Sequence, residues 1–191
     1  MRYSDRILST PSSFIRDILK VTQDPSVTSF AGGLPNPISF PQEALKESAC
    51  RIIDNEGGKV FQYSTTEGHL PLRRFVADKY NRNFGLNITP EDILITTGSQ
   101  QALDLIAKVL LNKGDRVIIE EPDTLGRFSL CMFEPEFMPV TLEDDGLNLE
   151  KLEEALKQER VKFAYVVPNF QNPTGSPTRR NAARPYARSS T

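Results

Sequence analysis

The sequence contains few of the residues from which metal centres, disulfide scaffolds and histidine-based catalytic sites are built. Its 191 residues include one histidine, two cysteines and no tryptophan. Cys50 and Cys131 belong to no CxxC or Cys/His pattern, which favours two reduced thiols over a disulfide or a metal site. His69 has no partner residues at the spacing of a Ser-His-Asp or multi-histidine site, so we expect it on the surface or in a turn.

The sequence also lacks long apolar runs and an excess of charge of either sign. No stretch approaches the roughly 18 apolar residues of a membrane span, and "MRYSDRILSTPSSF" lacks the apolar core of a signal peptide. The formal net charge of −2 gives no general affinity for nucleic acids or anionic membranes. We therefore expect no nucleic-acid or membrane partner, and the cytoplasm is the default localisation.

The hydrophobic pattern predicts helices that alternate with short strands. Helical segments lie at 12–23, 41–56, 69–85, 99–114, about 124–133 and 148–158. Apolar strand segments lie at 92–96, 115–120, 136–140 and 162–168. This alternation favours an α/β fold with a mostly parallel sheet and flanking helices. Ligands of such sheets bind at the carboxyl ends of the strands.

Two turns follow predicted strands at such ends. In "ITTGSQQALDL", Gly98, Ser99 and Gln100 open a helix whose first amides suit an anion such as a phosphate. In "PNFQNPTG", Asn172 offers donor and acceptor groups, and Gly175 allows a left-handed turn. Taken singly, an ordinary N-capped helix and a plain β-turn explain these patterns better than a ligand site does.

A third loop, "YSTTEGHLPLRR", places Tyr63 ahead of a Glu-Gly turn and a helix. By itself, it is typical of a loop tyrosine that packs under its helix. In combination with "GGLP" at 32–35, "TTGSQQALDL" and "PNFQNPTG", it resembles the fold-type I, class I/II aminotransferases that use pyridoxal phosphate. The likeness covers about 12–175 and is strongest to the group with 2-aminoadipate and aromatic aminotransferases.

The resemblance implies a role for each matching residue. Gly98, Ser99 and Gln100 would hold the cofactor phosphate, and Asn172 would hydrogen-bond the phenolic oxygen of the pyridoxal ring. Tyr63 would reach the phosphate of the neighbouring subunit, which implies a homodimer. The candidate substrate residues are Gly33, in the pocket, and Arg16, which matches an arginine that binds a distal carboxylate in some relatives. A solvated helix charge explains Arg16 about equally well.

The sequence departs from the family pattern in two ways. Thr124, in "EEPDTLG", stands where relatives carry an aromatic residue that stacks on the cofactor ring. None of the nine lysines lies in a Ser/Thr-x-x-Lys setting at a strand end, so the Schiff-base lysine of the family has no counterpart. We therefore expect no catalytic residue in this chain and no activity of the chain alone.

The last sixteen residues, "SPTRRNAARPYARSST", have a composition unlike the preceding chain. They contain four arginines and no acidic residue, and they show no apolar periodicity, which favours a disordered extension. A reading-frame change, a sequence error or alternative splicing after codon 175 would explain the shift. The predicted organisation is an N-terminal arm and helix at 1–40, a partial cofactor-binding domain at 41–175 and an aberrant tail at 176–191.

The leading hypothesis is thus an N-terminal part of an aminotransferase, an enzyme that moves an amino group from an α-amino acid to a 2-oxo acid. The main alternative is a non-catalytic subunit or decoy that pairs with a full-length aminotransferase. The effector domain of a transcription regulator is less favoured, because no helix-turn-helix segment precedes "GGLP". A lyase on the same fold stays open, since cofactor contacts do not fix the reaction type.

Overall fold

The computed structural model describes residues 2–8, 26–28, 35–123, 126–144, 146–158 and 161–175. The chain divides into two compact units, Ser12–Ile95 and a second that combines Met1–Pro11 with Thr96–Thr191. The helix predicted at 12–23, together with Arg16, Gly33, Thr124 and the tail at 176–191, lies outside the described residues. The predicted boundaries after residues 40 and 175 stay a prediction.

The helices and strands alternate as the hydrophobic pattern predicts. The helices of the described part are α1 Asp5–Leu8, α2 Gln42–Glu56, α3 Leu70–Phe84, α4 Ser99–Leu110, α5 Gly126–Leu130 and α6 Leu149–Leu156. The strands are β1 Arg116–Glu121, β2 Glu136–Glu143, β3 Gly146–Leu147 and β4 Val161–Tyr165. Short 3-10 turns occupy Pro37–Ser39, Gly57–Phe61, Pro90–Asp92 and Cys131–Phe133.

The unit Ser12–Ile95 contains α2 and α3, whose ends follow the sequence signals. Helix α2 begins after Pro41 and ends at Gly57, as predicted. Helix α3 ends at Gly85, which adopts a left-handed conformation at φ 65° and donates its amide to the Asn81 carbonyl. Proline is favoured at a helix start because the first amides have no intrahelical acceptor, and glycine is favoured at a helix end because it adopts a left-handed conformation without a steric penalty.

The strand predicted at 92–96 is not present. Pro90–Asp92 forms a 3-10 turn, and 93–96 has no strand pairing with any described residue. The amide of Ile95 instead donates to the carbonyl of Glu67. A short apolar run becomes a strand only where a neighbouring strand offers a ladder, and local sequence cannot reveal whether one does.

The second unit is built on a four-stranded sheet in the order β3-β2-β1-β4. The central strand β1 runs parallel to both β2 and β4, and β2 turns back into the short antiparallel β3. Strand β2 extends beyond the predicted residues 136–140, and the sequence pattern does not predict β3. Both differences arise from the hairpin pairing of Leu142 with Leu147. The prediction of a mostly parallel sheet is confirmed.

Helices cover both faces of this sheet. Val117 and Ile119 of β1 pack with residues of α4 and α5, namely Leu103, Ala107 and Leu130. Ile118, which points to the other face, packs with residues of β2, β3 and α6, namely Val140, Leu147, Leu152 and Ala155. Alternate residues of β1 therefore enter two cores, as expected for a central strand that is buried on both faces.

The remaining helices match their predicted positions with changed lengths. Asn148 caps α6, and its Oδ1 accepts a hydrogen bond from the Lys151 amide at 2.9 Å, as predicted from its residue type. The helix predicted at about 124–133 consists of α5 and a following 3-10 turn. Glu134 closes that turn in a left-handed conformation at φ 53°.

Candidate functional site

The start of α4 and the end of β1 lie at the same side of the sheet. Helix α5 follows the end of β1, and the hydroxyl of Ser129 in α5 donates to Oε1 of Gln100 in the first turn of α4 at 3.0 Å. Asp123, just after β1, accepts hydrogen bonds from the amides of Gly126 at 3.1 Å and Arg127 at 2.7 Å. The carboxyl end of β1 is thus surrounded by the beginnings of two helices.

The turn before α4 leaves the helix N-terminus open. Gly98 is the N-cap residue at φ 85°, and as a glycine it has no side chain with which to cap the first amides of α4. The side chain of Gln101 is occupied, since its Oε1 accepts from the amide of Thr97 at 2.6 Å and from its hydroxyl at 2.9 Å. Unpaired amides at the positive end of a helix dipole suit an anion.

Gly98 is needed for its backbone conformation rather than for lack of room. A Cβ atom on Gly98 would meet no atom within 4 Å, whereas φ 85° is a conformation that residues with side chains rarely adopt. Among the described residues, the space beside Gly98 is therefore open, and a ligand can approach the backbone there.

Asn172 follows β4 at the corresponding end of the neighbouring strand. It lies exposed in the turn 172–174, and Gly175 closes the turn in a left-handed conformation at φ 72°, as its residue type predicts. Since β1 and β4 are parallel neighbours, their carboxyl ends meet at the same edge of the sheet. The elements that begin or end on this side of the sheet carry Gly98, Ser99, Gln100 and Asn172.

Two buried polar residues beneath Asn172 were not predicted. Gln171 and Glu120 are 2% and 3% exposed, and Nε2 of Gln171 donates to Oε2 of Glu120 at 3.0 Å. Burial raises the pKa of Glu120, while hydrogen bonds from Gln171 and Val167 act in the opposite direction. The sequence signal for this pair is the acidic residue at the end of the apolar run "RVIIE".

Tyr63 belongs to the other compact unit. Its side chain is 99% exposed, and its amide donates to Oε1 of Gln62 at 2.9 Å. It does not pack under the following helix, so the packing explanation from the sequence is wrong. Its relation to the residues around Gly98 stays a prediction.

Each of the eight lysines in the described part is exposed, namely Lys46, Lys59, Lys79, Lys108, Lys113, Lys151, Lys157 and Lys162. Lys162, in β4, lies 3.7 Å from the Asp115 carboxylate at the opposite, amino-terminal end of β1. Lys151 reaches the carboxyl half of β2, where its Nζ donates to the hydroxyl of Thr141 at 2.7 Å. None of the eight lies in the segments that directly follow β1 or β4.

The described residues contain neither a metal-binding cluster nor a membrane-spanning helix. They contain no group of three or more His, Cys, Asp or Glu side chains arranged to hold a metal ion. Among the helices of the described ranges, none has the length and apolar character to cross a membrane.

Comparison with known proteins identifies the family. The profile of the family described as "Aminotransferase class I and II" matches residues 36–184. This chain belongs to the class I and II aminotransferases. The resemblance derived from "TTGSQQALDL" and "PNFQNPTG" is thereby confirmed.

Individual aminotransferases support the assignment. The chain is 48% identical over 168 residues to a 2-aminoadipate transaminase of Thermus thermophilus, covering 87% of this chain and 41% of that protein. It is 38% identical to aromatic-amino-acid aminotransferase 1 of Thermococcus litoralis, covering 91% of this chain and 43% of the relative. The chain thus spans less than half the length of these relatives.

Solved structures of aminotransferases share the fold. A kynurenine aminotransferase of Pyrococcus horikoshii matches with a TM-score of 0.87 at 37% identity, over 96% of this chain and 47% of that one. The α-aminoadipate aminotransferase of Thermus thermophilus, complexed with N-(5'-phosphopyridoxyl)-L-leucine, matches with a TM-score of 0.82 at 42% identity, over 96% and 45%. The predicted fold class is confirmed.

Proposed function

We propose that this aminotransferase chain carries the phosphate-binding and ring-oxygen contacts of a pyridoxal phosphate site. The full reaction would move an amino group from an α-amino acid to a 2-oxo acid. The observation that carries the proposal is the uncapped N-terminus of α4 at Gly98, which lies at the side of the sheet where the Asn172 turn follows β4. When bound, pyridoxal phosphate supplies the electron-accepting ring for amino transfer.

The residues of this end of the sheet fit the cofactor chemically. The amides of Ser99 and Gln100, together with the Ser99 hydroxyl, are donors for a phosphate dianion, and the helix dipole favours its charge. Ser129 holds the Gln100 side chain at 3.0 Å and so limits its rotamers. The Asn172 amide group can donate to the phenolic oxygen of the ring.

Further contacts of the proposed site come from other parts of the chain. Tyr63, whose ring is exposed, would bind the phosphate of a partner subunit in a homodimer. Arg16 and Gly33 would contribute to substrate binding. No observation favours the alternative of a non-catalytic or decoy subunit, and the cytoplasm remains the proposed location.

The 191-residue chain by itself would hold the cofactor without turning over substrate. Supporting this, all eight described lysines are exposed, Lys151 is hydrogen-bonded to Thr141 in β2, and none lies in the segments that directly follow β1 or β4. An amine that forms and breaks a covalent bond to the cofactor must lie beside it. Incubating the chain with several amino acids, 2-oxoglutarate and pyridoxal phosphate should give no product above the blank, and turnover would contradict this part of the proposal.

Pyridoxamine 5'-phosphate is the suitable binding probe, because its binding needs no covalent bond to a lysine. Calorimetric titration of the 191-residue chain should show saturable binding at one site. The Asn172→Ala variant should bind about 5-fold more weakly, the effect of one lost hydrogen bond. Asn55→Ala, an exposed change on α2, is the matched control and should bind like the unmodified chain. Equal affinity of both variants would overturn the role of Asn172.

A further inference from the structure

The side-chain amide of Gln171 uses all of its hydrogen-bonding groups. Nε2 donates to Oε2 of Glu120 at 3.0 Å and to the carbonyl of Pro122 at 2.8 Å. Oε1 accepts from the amide of Thr174 at 3.0 Å and from its hydroxyl at 2.8 Å. Reversing the amide would set Nε2 against the Thr174 N–H and Oε1 against two acceptors, so the network permits one orientation only.

Glu120 connects this amide to the beginning of the same loop. Its Oε1 accepts from the amide of Val167 at 3.1 Å, while its Oε2 accepts from Gln171. One carboxylate of the central strand β1 therefore binds the loop 166–175 at two points. In the sequence, Asn172 lies between Gln171 and Thr174, and these two residues are hydrogen-bonded to each other.

A buried carboxylate that holds a loop carries a desolvation penalty, which a device serving stability alone would avoid. Among the described residues, no Lys or Arg pairs with Glu120, and the nearby Asp123 adds repulsion. A pair of apolar side chains would fill the same volume without the desolvation penalty. Directional hydrogen bonds, in contrast, select one backbone conformation for the residues they bind.

We propose that Glu120 and Gln171 are positioning residues that fix the loop 166–175 and so direct Asn172 toward the phenolic oxygen of the cofactor. The fixing of the loop rests on the hydrogen bonds described above. The orientation of the Asn172 side chain toward the phenolic oxygen rests also on the proposed function.

The first experiment measures amide hydrogen exchange in the 191-residue chain without cofactor. In Gln171→Leu, the amide of Thr174 loses its acceptor and should exchange about 10-fold faster. The amide of Val167, bound to the Glu120 carboxylate that Gln171 orients, should change in the same direction. Gln42→Leu, the same change at the exposed start of α2, is the matched control and should leave both rates unchanged. Thr174→Val removes one of the four bonds to Gln171 and should show a smaller change in the same direction, should Gln171→Leu fail to fold.

A swap of the two side chains tests the specific pairing. In Glu120→Gln/Gln171→Glu, the new amide at 120 can donate to the carboxylate at 171 and accept from the Val167 amide. The new carboxylate can still accept from Thr174, and only the Pro122 carbonyl loses its donor. The double variant should therefore recover part of the protection that Gln171→Glu loses through repulsion with Glu120. No recovery would overturn the pairing.

The second experiment separates positioning from general support of the fold. Affinity is measured for pyridoxamine 5'-phosphate and for its 3-deoxy analogue, which lacks the phenolic oxygen. Gln171→Leu should weaken binding of the first about 5-fold and leave the second unchanged, because only the first can bond to Asn172. Equal weakening of both ligands would mean a structural role only and would overturn the direction toward the phenolic oxygen.

The two experiments also distinguish this inference from the proposed function. If the unmodified chain binds neither ligand, the proposed function fails, and with it the direction of Asn172 toward the ring. The fixing of the loop is then still decided by the exchange rates of Val167 and Thr174. Unchanged exchange in Gln171→Leu would overturn the fixing of the loop whatever the ligands do.

Discussion

The guanidinium of Arg73 in α3 donates from Nη1 to the carbonyl of Pro90 at 2.9 Å. Its Nε donates to the carbonyl of Gly68 at 3.2 Å, so one side chain joins the turn before α3 to the segment after it. The hydroxyl of Thr65 also donates to the Gly68 carbonyl, at 3.1 Å. The loop that carries Tyr63 is thereby tied to α3 through Arg73.

Replacement of Arg73 should destabilise the unit Ser12–Ile95. Arg73→Met keeps much of the aliphatic stem and removes both hydrogen bonds, which we expect to lower the free energy of unfolding by about 1–2 kcal/mol. Arg74→Met is the matched control, since Arg74 is exposed on the same helix, and should change stability by less than about 0.5 kcal/mol. Urea denaturation monitored by circular dichroism measures both, and equal effects would show that these hydrogen bonds contribute nothing.

Gly126 should tolerate no side chain, for a steric reason. A Cβ atom on Gly126 would lie 2.6 Å from Cε1 of Tyr165, far inside van der Waals contact. Gly126→Ala should therefore cost about 1–3 kcal/mol of unfolding free energy. Gly58→Ala, where a Cβ atom would meet nothing within 4 Å, is the control and should cost little.

A second change tests the cause. Tyr165→Val removes the ring atoms that meet the new methyl group, and valine suits a strand. The double variant Gly126→Ala/Tyr165→Val should be less destabilised than the sum of the two single variants. Additive losses would mean that the ring of Tyr165 is not what excludes a side chain at Gly126.

The sequence predicts best those features that depend on neighbouring residues. The end of α3 at Gly85 and the cap of α6 by Asn148 follow from the residue type at one position. The absence of a strand at 92–96 and the presence of β3 depend on whether distant segments pair, which local patterns do not reveal.

The same distinction applies to the candidate site. The turn at Gly98 is predictable because an apolar run, a glycine and an amphipathic helix follow one another directly. The contact of Glu120 with Gln171 joins residues 51 positions apart, so only the parallel pairing of β1 with β4 brings them together. A polar residue at the end of a buried strand was the available signal for such a contact.

Asp115 should contribute to the loss of stability in acid. Its Oδ2 accepts from the amide of Asn112 at 2.8 Å, and this bond, assisted by Lys162 at 3.7 Å, lowers the pKa of Asp115, although the burial of the carboxyl group acts in the opposite direction. Because the folded pKa lies below the unfolded value of about 3.9, the contribution is present above that value and is lost as the pH falls toward the folded pKa.

Asp115→Asn should therefore flatten the acid side of the stability profile. Unfolding free energies from urea titrations between pH 2 and pH 6 measure the slope. Asp54→Asn, an exposed change on α2, is the control and should retain the slope of the unmodified chain. A slope in Asp115→Asn as steep as in the control would contradict the assigned role of Asp115.

Tyr63 should make cofactor affinity depend on the association of subunits. If the exposed hydroxyl of Tyr63 binds the phosphate of a partner subunit, the chain should bind pyridoxamine 5'-phosphate more tightly at protein concentrations where it dimerises. Tyr63→Phe keeps the ring and removes the hydroxyl, so it should weaken binding about 5-fold at high protein concentration and leave it unchanged at low concentration. Tyr3→Phe, at a tyrosine that is 71% exposed, is the matched control. Calorimetric titrations at two protein concentrations, with sedimentation measured on the same samples, give the affinity of monomer and dimer. An equal loss of affinity in monomer and dimer would contradict a contact across subunits. No loss of affinity in either would remove Tyr63 from the site.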